Sequence, residues 1–576
     1  MAEDTVRSTI AVDTAERGLK KHKMSTFTVV FMIFSLVAAG CYGIEDMIPD
    51  TGPGLTLVIL IVLPFIWGLP FGLVASELGS ARPQEGGYYK WVQEALGEFW
   101  GFQAGWWRTV SIYIDNTLYV VLAGGYLAGM FNMTTDQERA FKIAMILVFM
   151  FINIRGVRDV GSVTNVLSIF VIAAFAMVAV IGFMHWGGNP FEPFTAAPVE
   201  MASDWFFYIG GGLSVGMWMY SGYESMSTIA GELEDPQVIS RATIRSVPLI
   251  MATYILPTMA ALAAFKAAGE AFDFSNWAAE AGEGVIGYAT VAEHFVGPAF
   301  GVFFIIVAIV AQCSIFNTYI ASGSRGFFAL ADDGLAPPLL VKVDKKRGVP
   351  YIAVISVAVV NVALCMIPFK NLIVVDVFML VSSYILVYIS AIILRKRIPP
   401  EDYKFKAPGG YGFLKLICIV PICVAFFSFF INGTDYFIGG MVGIITGPIL
   451  YAVWKNIYGG LASKDPTLHP VNPKTRLAVG DFKRISFLFF VLGIIGAIGS
   501  FFLPWYESGW VADLVEEEGM SYAEAFADNY DMTLFGTQEA MWFGIRIATV
   551  AVLVIAAIFY FLWRRVDYTE NGKAVA

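Results

Sequence analysis

Five carboxylic acids, Glu45, Asp46, Asp115, Glu224 and Asp376, fall within or at the ends of stretches that are otherwise apolar. On insertion scales an acid at the bilayer centre costs about 2.5–3.5 kcal/mol, so one that persists there pairs, holds a proton or binds a cation. Basic partners at matching depth are scarce, since Arg108 lies nearly two helical turns inward of Asp115. The acids are therefore expected to stand uncompensated around a cavity that attracts amines, diamines or basic amino acids. For Asp46 and Asp376 a watery position near the outer face is a second account, and both stay open.

Three of the acids sit in breaks of the hydrophobic pattern. The stretch 25–48 carries Gly40-Cys41-Tyr42-Gly43-Ile44-Glu45-Asp46, and the stretch 204–231 carries Trp218-Met219-Tyr220-Ser221-Gly222-Tyr223-Glu224-Ser225. No water reaches backbone N–H and C=O groups inside a bilayer, so irregular chain there must be buried in protein or line a cavity. Gly-interrupted spans at matching places in two halves of a chain point to a transporter's substrate site. At the first break, half-helix ends offer N–H groups and a positive dipole end to a carboxylate; unwound carbonyls at the second suit an ammonium. The expected substrate-binding set is Gly40, Cys41, Tyr42, Gly43 and Glu45, then Asp115 and Asn116, then Trp218, Tyr220, Ser221 and Gly222. Glu224 is expected to act in proton coupling or gating. For Gly40 and Gly43, close helix packing is the alternative.

The elements that position these residues follow from hydropathy. The chain is 57% hydrophobic and only 15% charged, with a mean hydropathy of +0.67, which makes it a polytopic membrane protein. Fourteen spans are predicted, at about 25–48, 54–79, 98–130, 140–156, 158–186, 203–231, 242–267, 293–331, 350–369, 371–395, 411–432, 435–456, 485–506 and 541–565. With both termini in the cytoplasm, only Arg139, Lys142, Lys266 and Lys370 lie outside, and Arg108 and Arg546 lie within spans; every other basic residue is inside. That asymmetry obeys the positive-inside rule. The polar N-terminal tail (1–24) has no apolar core of a cleavable signal, so the first span serves as the insertion signal.

Span 6 enters from the side opposite to span 1, so the first ten spans (25–395) read as two inverted five-helix repeats. A linker and spans 11–12 (396–456), an inner loop (457–484) and a last pair of spans with an acidic outer segment and inner tail (485–576) complete the organisation. In that outer segment Ser521-Tyr522-Ala523-Glu524 has the form of a capping box. The fold class is all-α, with discontinuous spans 1 and 6. The five cysteines lie in spans without a CxxC pair, and the four histidines are scattered, so neither a disulfide framework nor a metal site is expected. The net charge of −10 arises largely from outer loops and gives no sign of nucleic-acid binding.

Further motifs follow in order: Ser76–Trp91 with Glu85-Gly86-Gly87-Tyr88-Tyr89; Leu96–Trp107; Asn153-Ile154-Arg155-Gly156-Val157; Ala230–Pro236; Ser324–Gly334; and Phe405-Lys406-Ala407-Pro408-Gly409. Together they resemble the amino acid–polyamine–organocation permeases over about 25–430. Tyr42-Gly43-Ile44-Glu45-Asp46, Pro64-Phe65-Ile66-Trp67 and Ile114-Asp115-Asn116-Thr117-Leu118-Tyr119 resemble the branch of plant polyamine uptake transporters, near the L-type amino acid transporters. The resemblance implies secondary transport by alternating access, usually with a proton gradient. It also implies that the Trp218 indole faces a cationic substrate, as in the family's arginine/agmatine antiporter. Glu77 and Arg325, and Arg82 beside them, would by the same resemblance belong to an inner gate, or else serve as ordinary positive-inside anchors. Two features depart from the family: Cys41-Tyr42 replaces a small-residue run at the first break, and Leu167–Ile172 lacks the lysine that some proton-coupled relatives carry there.

The expected function is therefore secondary transport of an amino acid or polyamine, with a cationic amine or basic amino acid favoured. Proton-coupled symport and substrate/product antiport are both open. A neutral amino acid permease and a non-transporting nutrient sensor are the alternatives. A channel would need a filter of repeated carbonyl or charged rings, and an enzyme a nucleophile–base pair or metal cluster; neither is found in the sequence. No cofactor is expected beyond a proton or sodium as coupling ion. The expected partners are a small amine-bearing solute and the lipid bilayer of the cell membrane, for a monomer or a homodimer.

Overall fold

The computed structural model describes residues 21–38, 41–84, 86–265, 274–277, 287–530 and 535–567. Helix α1 (Thr26–Val37) opens on Ser25, whose hydroxyl accepts the Thr28 N–H at 3.1 Å. The chain leaves the helix after Val37, turns through Gly43 at φ +94°, and regains one short helix, α2 (Met47–Thr51). The second span is one rod in three parts, α3 (Pro53–Leu63), a π turn (Pro64–Gly68) and α4 (Leu69–Ala81). Pro64 and Pro70 each lack a backbone N–H, and a widened turn is one way a helix absorbs such a gap. Then come α5 (Tyr88–Leu96), α6 (Glu98–Phe131), α7 (Thr135–Arg155) and α8 (Val157–Met184).

The second repeat starts with α9 (Ala202–Met219), which breaks through Gly222 at φ +108° and resumes as a 3-10 segment, Ser225–Glu232. It continues with α10 (Gln237–Phe265), the short α11 (Tyr288–Val296), α12 (Pro298–Asp332), α13 (Tyr351–Leu364) and α14 (Phe369–Arg397). After these come α15 (Gly410–Ser428), α16 (Thr434–Tyr458) and α17 (Asp481–Tyr506), the short α18 (Trp510–Glu518) and α19 (Tyr522–Asn529), and α20 (Gln538–Val566). Each of the fourteen spans falls on one helix or one broken helix. Ten of the described spans are individually long and apolar enough to cross a membrane. The described residues contain no strand, and the architecture is an all-α inverted-repeat membrane protein.

The centre of the bundle is α6, buried along most of its 34 residues between α12 and α14. Helices α17 and α20 pack chiefly on each other, and polar networks hold the pair to the rest at both ends. At the end rich in Lys and Arg, Lys455 of α16 pairs with Glu98 at the start of α6, and lies 3.8 Å from Asp481 at the start of α17. At the opposite end Glu507 accepts from the Thr434 hydroxyl (2.6 Å), the Tyr530 hydroxyl (3.0 Å) and the Trp542 indole (3.2 Å). The capping box expected at Ser521 and Glu524 is present, with Ser521 N–H donating to the Glu524 carboxylate and Glu524 N–H to the Ser521 hydroxyl.

At the basic end, Asp333 just beyond α12 meets Lys90, Lys464 (3.0 Å), the Tyr89 hydroxyl (2.6 Å) and the Gln93 amide (2.9 Å). Burial acts to raise its carboxyl, and the two ammoniums with their hydrogen bonds outweigh it, holding Asp333 well below the usual carboxylate range. A folded-state value depressed in this way contributes stability above the unfolded value, about 3.9, and loses it as pH falls towards the folded one. Asp333→Asn is expected to lower the melting temperature of the solubilised protein at pH 7 by several degrees, and to flatten its change between pH 7 and pH 3. Thermal unfolding of both proteins across that range checks it; parallel curves would remove Asp333 from the acid response.

Candidate substrate site

The two breaks meet, and each glycine makes room for the other segment. A Cβ on Gly43 would lie 3.0 Å from the Trp218 ring, and a Cβ on Gly222 would lie 2.6 Å from the Leu36 carbonyl oxygen and 2.9 Å from the Tyr319 hydroxyl. Both residues also need a positive φ, which glycine adopts without steric cost. The backbone groups freed by the breaks find partners on neighbouring helices. The Tyr254 hydroxyl of α10 is shared between the carbonyls of Val37, at the end of α1, and Met219, at the end of α9 (2.7 and 3.0 Å). Gly222 N–H donates to the Tyr384 hydroxyl of α14 at 2.9 Å. Trp67, in the π turn, donates to the Met217 carbonyl (3.1 Å) and the Ser221 hydroxyl (3.0 Å).

Between the breaks lies a small void lined by Val37, Ala38, Tyr42, Tyr119, Trp218, Met219, Tyr254, Gln312 and Ile315. At about 10 Å³ it has room for roughly one water. It is too small for an organic solute.

Beside the void lie three carboxylates and one guanidinium, none more than 1% exposed. Arg108, Ser111, Asp115 and Tyr119 recur at three- and four-residue spacing, so they share one face of α6. Arg108 donates to Glu224 (2.5 Å), Ser111 (2.9 Å) and Ser225 (3.2 Å). Tyr384 donates to the other Glu224 oxygen at 2.6 Å. Ser111 donates to Asp376 at 2.5 Å, and the second Asp376 oxygen is buried without a hydrogen-bond partner among the described residues. The Trp218 indole donates to Asp115 at 2.8 Å, with its ring stacked 5.9 Å from Tyr119.

The expectation of uncompensated acids therefore needs correction at Glu224. Depth was counted along α6 alone, whereas Arg108 reaches sideways to the chain released by the second break. The surplus remains at Asp115 and Asp376.

Of the expected binding residues, Tyr42 and Trp218 line the void, Gly43 and Gly222 set the approach of the breaks, and Asp115 stands in the charged cluster with Glu224, the residue expected to act in coupling or gating. Asn116, one residue and hence about 100° round from Asp115, turns away and donates to Asn361 of α13 at 3.0 Å. The Tyr220 hydroxyl donates to the Leu60 carbonyl (2.9 Å), facing the second span, and the Cys41 thiol points to the Thr253 carbonyl (2.8 Å). Glu45 lies behind Tyr42, accepting from Tyr288 N–H (2.8 Å) and the Tyr126 hydroxyl (3.3 Å). Gly40 lies outside the described residues. Glu77 pairs with Arg395 of α14 and accepts the Ala407 N–H (2.7 Å); Arg325 makes a two-pronged pair with Glu232 (2.6 and 3.2 Å). These two residues thus form separate ties at the basic end.

Sequence reasoning missed Arg108 as a partner, and it missed Tyr384 and Gln312. Gln312, Ile315 and Tyr319 share a spacing that puts them on one face of α12, so a polar residue at position 312 was a usable signal. Tyr384 carried none.

The amino acid permease family matches residues 24–453, three quarters of the chain, with the first eleven spans and most of the twelfth. The chain is a member of that family. It is 29% identical over 407 residues to a probable polyamine transporter of Arabidopsis thaliana, covering 70% of this chain and 78% of the relative. It is 26% identical over 458 residues to the serine/threonine exchanger SteT of Bacillus subtilis, covering 77% of this chain and 99% of the relative. Among solved structures, MhsT in complex with L-phenylalanine shares the fold, with a TM-score of 0.51 at 14% identity over 75% of this chain and 99% of that one. This permease is thus a transporter of the amino acid and polyamine class and not an enzyme.

Breaking a buried ion pair from one side costs about 3–5 kcal/mol, whereas removing both charges is often neutral. Arg108→Met and Glu224→Gln are each expected to lower the melting temperature and abundance of this permease, and the double variant to recover most of the loss. A double-mutant cycle in detergent gives the coupling; additive losses would show that the two side chains do not act as a pair.

Proposed function

We propose that the permease carries a cationic amine, with Asp115 and Asp376 as the carboxylates that receive the ammonium group. The observation that carries this reading is the charge balance of the cluster, in which three buried carboxylates face one guanidinium. A monovalent or divalent cation restores neutrality where a neutral solute does not, and an unbalanced buried charge is the costly state. The Trp218 and Tyr119 rings add an attractive face, worth about 0.5–2 kcal/mol for a cation. The polyamine-transporter name of the Arabidopsis relative agrees with this preference. The Bacillus exchanger supports a second reading, movement of a neutral amino acid by exchange.

In this reading transport proceeds by alternating access. The void is the midpoint of the cycle, and parting of the broken segments on one side or the other opens it. Glu77–Arg395 and Arg325–Glu232 tie the basic end, and their release is the inward-opening step. The basic end faces the cytoplasm of a cell-membrane protein with both termini inside, in keeping with its Lys and Arg content. A proton carried by the Asp376–Glu224 cluster couples the cycle to a gradient.

Purified permease in liposomes, offered putrescine, spermidine, agmatine, arginine, serine and leucine with and without pH and Na⁺ gradients, tests the reading. Cationic amines are expected to accumulate, driven by the pH gradient. Asp115→Asn is expected to raise their KM by at least about tenfold, a loss near 1.4 kcal/mol, with abundance kept. Uptake of serine or leucine alone, unaffected by Asp115→Asn, would establish the neutral-exchange reading instead.

A further inference from the structure

We propose that Glu45 and the aromatic rings around it form a second ammonium site, so that the solute is a linear diamine or polyamine held at two carboxylate poles. This rests on the reading of Asp115 and Asp376 as the first pole. Glu45 is 3% exposed, and its hydrogen bonds come from two neutral donors, Tyr288 N–H and the Tyr126 hydroxyl. Among the described residues no Lys or Arg pairs with it. A buried carboxylate with no cation partner among the described residues is a place for a cation from outside the protein.

The surroundings of Glu45 suit an ammonium group. The Tyr42 ring lies 5.6 Å from Tyr126, 5.0 Å from Phe175 and 6.0 Å from Phe304, and Phe175 lies 5.7 Å from Tyr288. The faces of such rings attract alkylammonium ions, so a cation admitted beside Glu45 would find them close at hand. Tyr42 joins the two poles. One side of it belongs to this box, and the residue also lines the void whose far wall is Trp218, the indole donor to Asp115.

Two polar groups on the same void await a ligand: the Tyr42 hydroxyl and the Gln312 carbonyl oxygen are buried without a hydrogen-bond partner among the described residues. The remaining wall at Val37, Ala38 and Ile315 is apolar and suits the alkyl segment between two amines. The void must widen for that segment to enter, which the separation of the two broken helices supplies. A basic amino acid would need, besides, a cation for its carboxylate, and the Arg108 guanidinium is already engaged by Glu224.

Isothermal titration of the full-length permease in nanodiscs with n-butylamine, putrescine and spermidine tests the second pole. In Glu45→Gln the Kd of putrescine and spermidine is expected to rise at least about tenfold, while that of n-butylamine stays within about twofold. Glu45→Asp is expected to recover part of the loss. Phe304→Leu, which removes a ring and keeps the carboxylate, is expected to weaken the two polyvalent amines selectively, by about threefold. Equal loss for all three amines in Glu45→Gln would assign Glu45 to the fold, and no change would remove it from the site; either result overturns the second pole. The underlying reading fails separately, as wild-type protein that binds none of the three amines, or as Asp115→Asn that leaves n-butylamine binding intact.

Discussion

Backbone N–H and C=O groups released at a helix break inside a bilayer have no water to turn to, and the centre of this permease is organised by where they go instead. The Tyr254 hydroxyl takes the carbonyls of Val37 and Met219 together, so one side chain closes the ends of both broken helices. Gly222 N–H hands its bond to Tyr384, which passes it on to Glu224, and Glu224 holds Arg108. Backbone irregularity and buried charge are thus parts of one network. Separating the breaks would disturb the polar chain that runs through α6, α10 and α14, which gives a physical basis for a few discrete arrangements of the core.

That same network sets the charge character of the site. Pairing Arg108 with Glu224 neutralises one acid and leaves Asp115 and Asp376 on a surface already furnished with rings. Asp115 accepts from an indole and Asp376 from a hydroxyl; neither neutral donor cancels a negative charge. The proposed preference for a cation rests on that surplus together with burial, since in a low dielectric the imbalance is felt strongly.

Away from the site, polar networks tie the outlying helices to the core. Glu98, Lys455 and Asp481 fasten α17 to α16 and α6 at the basic end, and Glu507 fastens the far end. The last four elements therefore sit as a buttress on the side of the family core, which ends near residue 453. The pairs Glu77–Arg395 and Arg325–Glu232 bridge α4 to α14 and the 3-10 segment to α12. The first pair links the two repeats, and the second lies within the second repeat.

The amino-acid sequence by itself determined the spans, the two breaks and the inverted order of the repeats. Those features follow from local composition: about twenty apolar residues cross a bilayer, and Gly43 and Gly222 interrupt them. It also marked Asp115 and Glu224, because acids at that depth stand out against an apolar background, and it marked Trp218 through the resemblance to the family's antiporter. Only the tertiary structure decided partners and facing. Asn116 and Asp115 are adjacent in the chain and point to different helices, a difference set by a helical turn and by where α13 packs. Arg108 counted as remote from every acid along its own helix, yet it lies against Glu224 because the second break brings that residue across. Tyr384 is an ordinary tyrosine in an apolar span until the fold puts it between Gly222 N–H and a carboxylate. Local composition governs what enters the membrane, whereas side-chain pairing depends on contacts between segments more than a hundred residues apart, which no spacing along the chain records.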